Sequence, residues 1–332
     1  MRALVTGGTG FLGSALALRL RAQGDSVTIL ARNSKGGAHL QGRGIGFVWA
    51  DLADAEAVSA ACADQDIVFH CGANVAPWGR YEDFYAPNVL GTQNVIRGCL
   101  EHKVARLVHV STPSLYFAHQ DRLNVGEYDP LPAKLVNAYT ATKFQAELAI
   151  ERAYRNGLPV ITLRPRAIFG PGDRTILPRV IRALEEGRLR IIGKGNNWQD
   201  LTYIDNVVDA LLLCQQAPAT TLGKKYNITN GEPVLIWAKL NDLCAQLGYT
   251  FPSRHVAFPV AFALATLAES THALFRLNGE PQLTRYTVSL LAKSMTLDIS
   301  AARRDLGYQP RISIDEGLER FVDWWRKEHD QN

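Results

Sequence analysis

Residues 2–13 read RALVTGGTGFLG, and these twelve residues decide the fold. Arg2–Thr6 is a short run of strand character. Phe11–Gln23 follows, with Leu12, Leu16 and Leu20 four apart, the stripe of a helix packed on one side. Between them Gly7, Gly10 and Gly13 stand as G-x-x-G-x-x-G, and the run also satisfies G-x-G-x-x-G from Gly8. In a strand–turn–helix context each glycine has a task. One permits the tight turn, one lets backbone approach a pyrophosphate, and one lets helix and strand pack closely. The helix start adds free N–H groups and a positive dipole. Gly7, Thr9, Gly10, Phe11, Leu12 and Gly13 therefore read as a dinucleotide-binding turn.

Working outward, Ser26–Ala31 is a second strand, Ile45–Trp49 a third, Ile67–His70 a fourth, Arg106–Ser111 a fifth and Val160–Arg164 a sixth. Helices are expected over Ala55–Ala63, Asn88–His102 and Ala138–Asn156. Such alternation implies a parallel sheet with right-handed crossovers. Nearly continuous apolar strands imply cover on both faces. The expected fold class is α/β, a Rossmann-type doubly wound parallel sheet over residues 1–168. A smaller substrate-binding lobe fills 169–332, and the return of later segments to the first lobe is left open. There the rhythm breaks at the GPGD turn of 170–173, and short strands near Leu189–Ile192 and Lys225–Ile228 mix with helices.

The chain has 332 residues, 47% hydrophobic and 20% charged, with a net charge of +4. Disordered and collagen-like chains are excluded by that balance. No Lys/Arg run calls for a nucleic acid. Five cysteines, an odd count with no C-x-x-C pair, argue against a disulfide framework or a metal site. Reduced thiols point to the cytoplasm, and MRALVTGG does not read as a secretory signal. The apolar run Val256–Ala268, thirteen residues with a proline, is too short to cross a bilayer.

At the end of the second strand a carboxylate would hold a ribose 2′-hydroxyl and repel a 2′-phosphate. Ala31 stands there, followed by the cation Arg32. That favours NADP(H), with NAD(H) not excluded. Asp51 either accepts from the adenine amine or caps the next helix.

Tyr139 and Lys143 lie four apart on a predicted helix and share a face. An ammonium beside a phenol favours the phenolate, so the Tyr139 pKa is expected to fall. Such a phenol passes a proton to or from a substrate oxygen. The hydroxyls of VSTPSLY (110–116) leave the fifth strand where one of them can hold the reacting oxygen.

Taken together, TGGTGFLG, HCGAN (70–74), NVLGTQNV (88–95), STPSLY (111–116), YTATK (139–143), LRPRAIFGPGD (163–173) and LTYIDNVVDA (201–210) resemble the extended short-chain dehydrogenases/reductases, in order and over essentially the whole chain. The resemblance implies a catalytic set of Tyr139, Lys143 and Thr112, with Ser111 and Ser114 as neighbours. It implies cofactor contacts from Asp51, Leu52, Ala73, Tyr139, Lys143, Pro165 and Ile168, and a mainly architectural Asn88. Sugar-nucleotide members carry an Arg where Gln199 stands here, and a neutral amide does not replace a bidentate cation on phosphate. GKGNN, DLTYIDNV and the two GEP segments resemble instead the 3β-hydroxysteroid dehydrogenase-like branch, which includes bacterial reductases of 2-alkyl-3-oxoalkanoates. The expectation is an NADPH-dependent interconversion of ketone and secondary alcohol on an apolar substrate, a β-keto acid or a sterol-like molecule. The alternative is a sugar-nucleotide epimerase or dehydratase with tightly bound NAD.

For substrate contacts the candidates are Trp78, Tyr81, Ser114 and Arg166. Phe258, Phe262, Leu264, Leu267 and Leu274, within 256–275, read as a pocket wall, a membrane-surface contact or a buried helix. A homodimer through the helices at 88–102 and 138–156 is expected from the resemblance alone.

Overall fold

The computed structural model describes residues 1–275, 277 and 279–329. Seven parallel strands form the main sheet: β1 (Arg2–Thr6), β2 (Ser26–Ala31), β3 (Gly46–Trp49), β4 (Ile67–His70), β5 (Arg106–Val110), β6 (Val160–Pro165) and β7 (Lys225–Ile228). Their order is β7-β6-β5-β4-β1-β2-β3. The order reverses between β1 and β4, so a crevice opens at the carboxyl ends of those strands, the place where such sheets bind ligands.

Helices cover both faces. On one side α1 (Phe11–Ala22) and the later helix Ile204–Gln216 pack on Val5, Val108 and Leu163. Arg19 on α1 pairs with Asp205 and Asp209 of that later helix at 3.0 and 3.1 Å. On the other side α2 (Ala55–Cys62), α3 (Gly91–Glu101) and α4 (Ala138–Arg155) pack on Leu4, Val68 and Leu107.

Some elements differ from the sequence reading, among them the short helix Tyr81–Tyr85 and the strand Arg122–Val125, which it does not contain. Ser34–Gln41 is a helix, capped by Asn33, which accepts the Gly36 N–H at 3.1 Å. Its two glycines and lack of an apolar stripe hide it. Gly37 packs closely on Phe47, since a Cβ there would lie 2.5 Å from the ring and push it aside. Lys225–Ile228, read among the strands after 168 with its return to the first lobe left open, does return: it is the edge strand β7 and pairs with Thr162–Pro165.

The rest of the second half forms a smaller lobe with a four-stranded sheet. In it Trp198–Gln199 lies between Val234–Leu235 and Met295–Leu297, and Arg122–Val125 from the first half completes the edge. Two helices, α5 (Phe258–Phe275) and α6 (Arg285–Ala292), pack together beside it.

Candidate active site

The glycine turn does what its spacing requires. Gly7 is left-handed at φ +66° and donates to the Leu30 carbonyl at 2.8 Å. A Cβ on Gly13 would lie 2.3 Å from the Gly7 carbonyl oxygen, so α1 approaches β1 only with glycine there. No side chain caps α1 and no acidic residue stands in its first turn. Its N–H groups and dipole are therefore free for an anion, and the turn fits a dinucleotide pyrophosphate. Phe11 and Leu12 are half-buried and pack against the apolar cluster with Phe169 and Tyr203. Thr9 packs toward Gly36 of the Ser34–Gln41 helix.

At the other end of the crevice Arg32 pairs with Asp51 at 3.1 Å, both exposed. Asp51 also accepts the Ala53 N–H at 2.9 Å. It does not cap α2, because Asp54 does so by accepting the Ala57 N–H. Leu52 is buried against Gly72 and Gly91, where added Cβ atoms would lie 2.8 and 2.7 Å from its side chain. Ala73, in the loop after β4, is half-buried. Asn88 holds that loop: it accepts the Asn74 N–H at 2.7 Å, and its amide donates to the Asn74 carbonyl and to Thr142 on α4. Its role here is architectural.

Asn137 and Thr140 form a capping box at the start of α4, which fixes the Tyr139 turn. Lys143, one turn on, is buried. Its ammonium donates to the Val110 carbonyl at 2.8 Å and lies 3.4 Å from His109 Nε2. Burial pulls its pKa down to about 8, opposed by Glu147. Glu147 is itself paired with Arg164 of β6, Nε to Oε1 at 2.8 Å, and so pins α4 to the sheet.

Tyr139 departs from the sequence reading. Burial raises the phenol pKa rather than lowering it, the Thr112 hydroxyl opposes that, and Tyr286 adds to it. Lys143 is turned to Val110 and is not among the causes. Thr112, buried after β5, accepts the Ser114 N–H at 3.1 Å. Ser114 meets the Tyr286 hydroxyl at 3.2 Å.

Two histidines that the motifs did not single out sit behind Lys143. The Thr92 hydroxyl donates to the Asn88 carbonyl, so His70 Nε2 donates to Thr92 and His70 Nδ1 accepts from Thr6, at 3.0 and 2.7 Å. Burial and the Lys143 charge push His70 down to about 3. It is stacked on His109, with ring centroids 5.7 Å apart. The visible signal was a histidine inside each of two apolar strands.

Beside the start of α4 lies a cleft of about 320 Å³, lined by Trp78, Phe84, Ala138, Glu269, Ala273 and Tyr286 among others. Trp78 is where the sequence placed it, its ring edge-on to His272. Tyr81 is not: its exposed hydroxyl accepts from Gln145 on α4 and does not line the cleft. Arg166 is buried and donates to Gln199 Oε1 at 2.6 Å, and it too is absent from the lining. Gln199 donates in turn to the carbonyls of Leu290 and Lys293, so it braces the second lobe. Pro165 ends β6 in the core, and Ile168 is half-buried beyond Ala167, whose φ of +43° turns the chain there.

The family model for the NAD dependent epimerase/dehydratase family matches residues 3–229. The chain belongs to that family, the extended short-chain dehydrogenases/reductases. The matched region ends one residue after β7, the last strand of the main sheet. Over 97% of its length the chain is 40% identical to 2-alkyl-3-oxoalkanoate reductase of Stenotrophomonas maltophilia (strain K279a), covering 98% of that protein. It is 32% identical over 98% of its length to human sterol-4-alpha-carboxylate 3-dehydrogenase, decarboxylating, covering 88% of it. Among solved structures, dTDP-glucose 4,6-dehydratase DesIV of Streptomyces venezuelae, with NAD and TYD bound, superposes with a TM-score of 0.80 at 25% identity, over 100% of this chain and 98% of that one. The chain is thus an oxidoreductase of the ketone and secondary-alcohol type in a nicotinamide-dinucleotide family.

Proposed function

We propose that the chain reduces a ketone, reversibly, on an apolar substrate of the β-keto acid or sterol type, with NADP(H) as its nucleotide. The observation that carries the reading is that Asn137 and Ala138, which lead into Tyr139 at the start of α4, line a cleft, with Thr112 and Tyr286 acting on the Tyr139 phenol and Lys143 one helical turn on. In the names of both relatives reported above the reacting carbon is carbon 3, and a carboxylate belongs to its neighbour. The Gly7–Gly13 turn would hold the pyrophosphate of the nucleotide, with Arg32 and Asp51 at the adenosine end. Pro165, Ile168 and Ala73 would stand at the nicotinamide end. When bound, the nicotinamide supplies or accepts the hydride. The protein's own part is acid–base work and positioning. Tyr139 gives its proton to the substrate oxygen in reduction and takes it back in oxidation. Thr112 holds that oxygen, and the Lys143 ammonium, donating to the Val110 carbonyl, anchors the strand end that leads to Thr112 and would reach the nicotinamide ribose.

Replacing Tyr139 by Phe lowers kcat by about a thousandfold and leaves NADPH binding, read by fluorescence titration, nearly intact. Undiminished turnover would discard the mechanism. For nucleotide choice, Arg32 is exposed and paired with Asp51, so a 2′-phosphate would displace that carboxylate to reach the cation. Arg32→Ala raises the NADPH KM by about tenfold or more and leaves the NADH KM nearly unchanged. Equal effects on both would remove the preference.

The sugar-nucleotide reading has less support, because Gln199 is committed to Arg166 and two backbone carbonyls. All five cysteines are unpaired, which supports a reducing, cytoplasmic setting.

A further inference from the structure

α5 was expected as a pocket wall, a membrane contact or a buried helix, and it runs 18 residues, ending seven residues past the apolar run Val256–Ala268. Its two sides differ. Ala261, Ala265 and Glu269 are buried, and Phe258 and Phe262 are half-buried in a cluster with Ile191, Trp237 and Val288. On the other side Leu264 is 54%, Leu267 66% and Leu274 76% exposed, with Val260 and Phe275 also open. Positions 260, 264, 267 and 274 fall on one helical stripe. Leu264, Leu267 and Leu274 therefore wall no pocket, and the helix is not buried.

Two further observations bear on what covers this face. The one hydroxyl on the stripe, Thr271, donates back to the Leu267 carbonyl at 2.9 Å. The amino end of the helix is also cationic. His255–Val256 pairs with Ile191–Ile192, and the Lys293 ammonium lies 4.4 Å over the Phe258 ring. Arg190, Lys194, Arg254 and Lys293 lie in the segments that meet there, while the acids that border them, Glu185, Glu186, Asp200, Glu269 and Asp298, are already bound by Tyr249, Arg188, Leu297, Arg285 and Ser300. An apolar stripe with a cationic end matches an anionic lipid surface. By length and composition the helix would also cross a membrane. Its packed side makes it lie along the surface instead.

The inner side of the same helix lines the cleft through Glu269, Ser270 and Ala273, opposite Trp78 and Tyr286. We infer that α5 docks the protein on an anionic lipid surface, with the substrate cleft directly behind the docking face, so that an apolar substrate passes to it from the lipid. The docking stands on the helix alone, while the delivery of substrate rests on the ketone-reducing reading.

The test is flotation of the full chain with phosphatidylcholine vesicles, with and without phosphatidylglycerol. Wild-type protein floats with the anionic vesicles, and high salt weakens that. Leu264→Glu/Leu267→Glu lowers the binding by about tenfold or more, and Arg254→Glu/Lys194→Glu lowers it on anionic vesicles only. Both variants keep the wild-type rate on a short, water-soluble ketone. Where the glutamates unfold the chain, Leu264→Ser/Leu267→Ser takes their place. Wild-type protein that floats with neither vesicle, or a leucine variant that floats as well as wild type, overturns the docking. So does a wild-type dimer that the leucine variant splits into monomers, since a second copy would then cover the face. A chain that floats as expected but reduces no ketone keeps the docking and loses the proposed function.

Discussion

The Lys143 ammonium, 2% exposed between the Val110 carbonyl and His109, has a folded-state pKa near 8 against about 10.4 for an unfolded lysine. Below pH 8 the folded chain holds a buried charge that the unfolded chain keeps in water. As pH rises from 8 to about 10.4 the folded state releases this proton first, so the unfolded state binds more protons and stability increases across that window. The full effect is at most about 3 kcal/mol. Lys143→Met removes it. Urea unfolding should show the variant more stable than wild type at pH 7, with the gap closing toward pH 10, while turnover is lost. A variant less stable at pH 7 would mean that the Val110 and Glu147 contacts outweigh the desolvation.

For elements, the decisive contact is α1 against β1. A Cβ at position 13 would meet backbone only, 2.3 Å from the Gly7 oxygen and 3.0 Å from the Gly8 Cα, and backbone has no rotamer to give. Gly13→Ala should destabilise by about 2–4 kcal/mol and weaken nucleotide binding at least as steeply. Gly42 ends the Ser34–Gln41 helix at φ −60° with 3.5 Å of clearance. Gly42→Ala should be neutral or stabilise by up to about 1 kcal/mol. Calorimetry of the two variants checks both, and equal melting shifts would refute the contact argument.

Across the whole molecule the two halves of the chain are interleaved. β7 pairs along β6, and Val207, Val208 and Leu211 of the Ile204–Gln216 helix share a cluster with Val5, Leu16 and Val108. A fragment ending at 168 leaves β6 as an open edge and removes the Ile204–Gln216 helix, leaving α1 on that face. It should show no cooperative melt by circular dichroism and no nucleotide binding. A sharp transition in that fragment would establish 1–168 as an independent domain.

The sequence by itself determined six of the seven sheet strands, the nucleotide turn and the Tyr139–Lys143 helix, because each is written in neighbouring residues: a short apolar run, a glycine spacing, a helical turn. Tertiary structure alone decided the rest. The Tyr139 pKa moves upward, Tyr81 leaves the cleft for Gln145, Arg166 is taken by Gln199, and α5 presents its leucines to solvent. Each of these depends on desolvation or on a partner far along the chain. Local periodicity records that a residue is apolar or charged, and not which distant surface comes to face it.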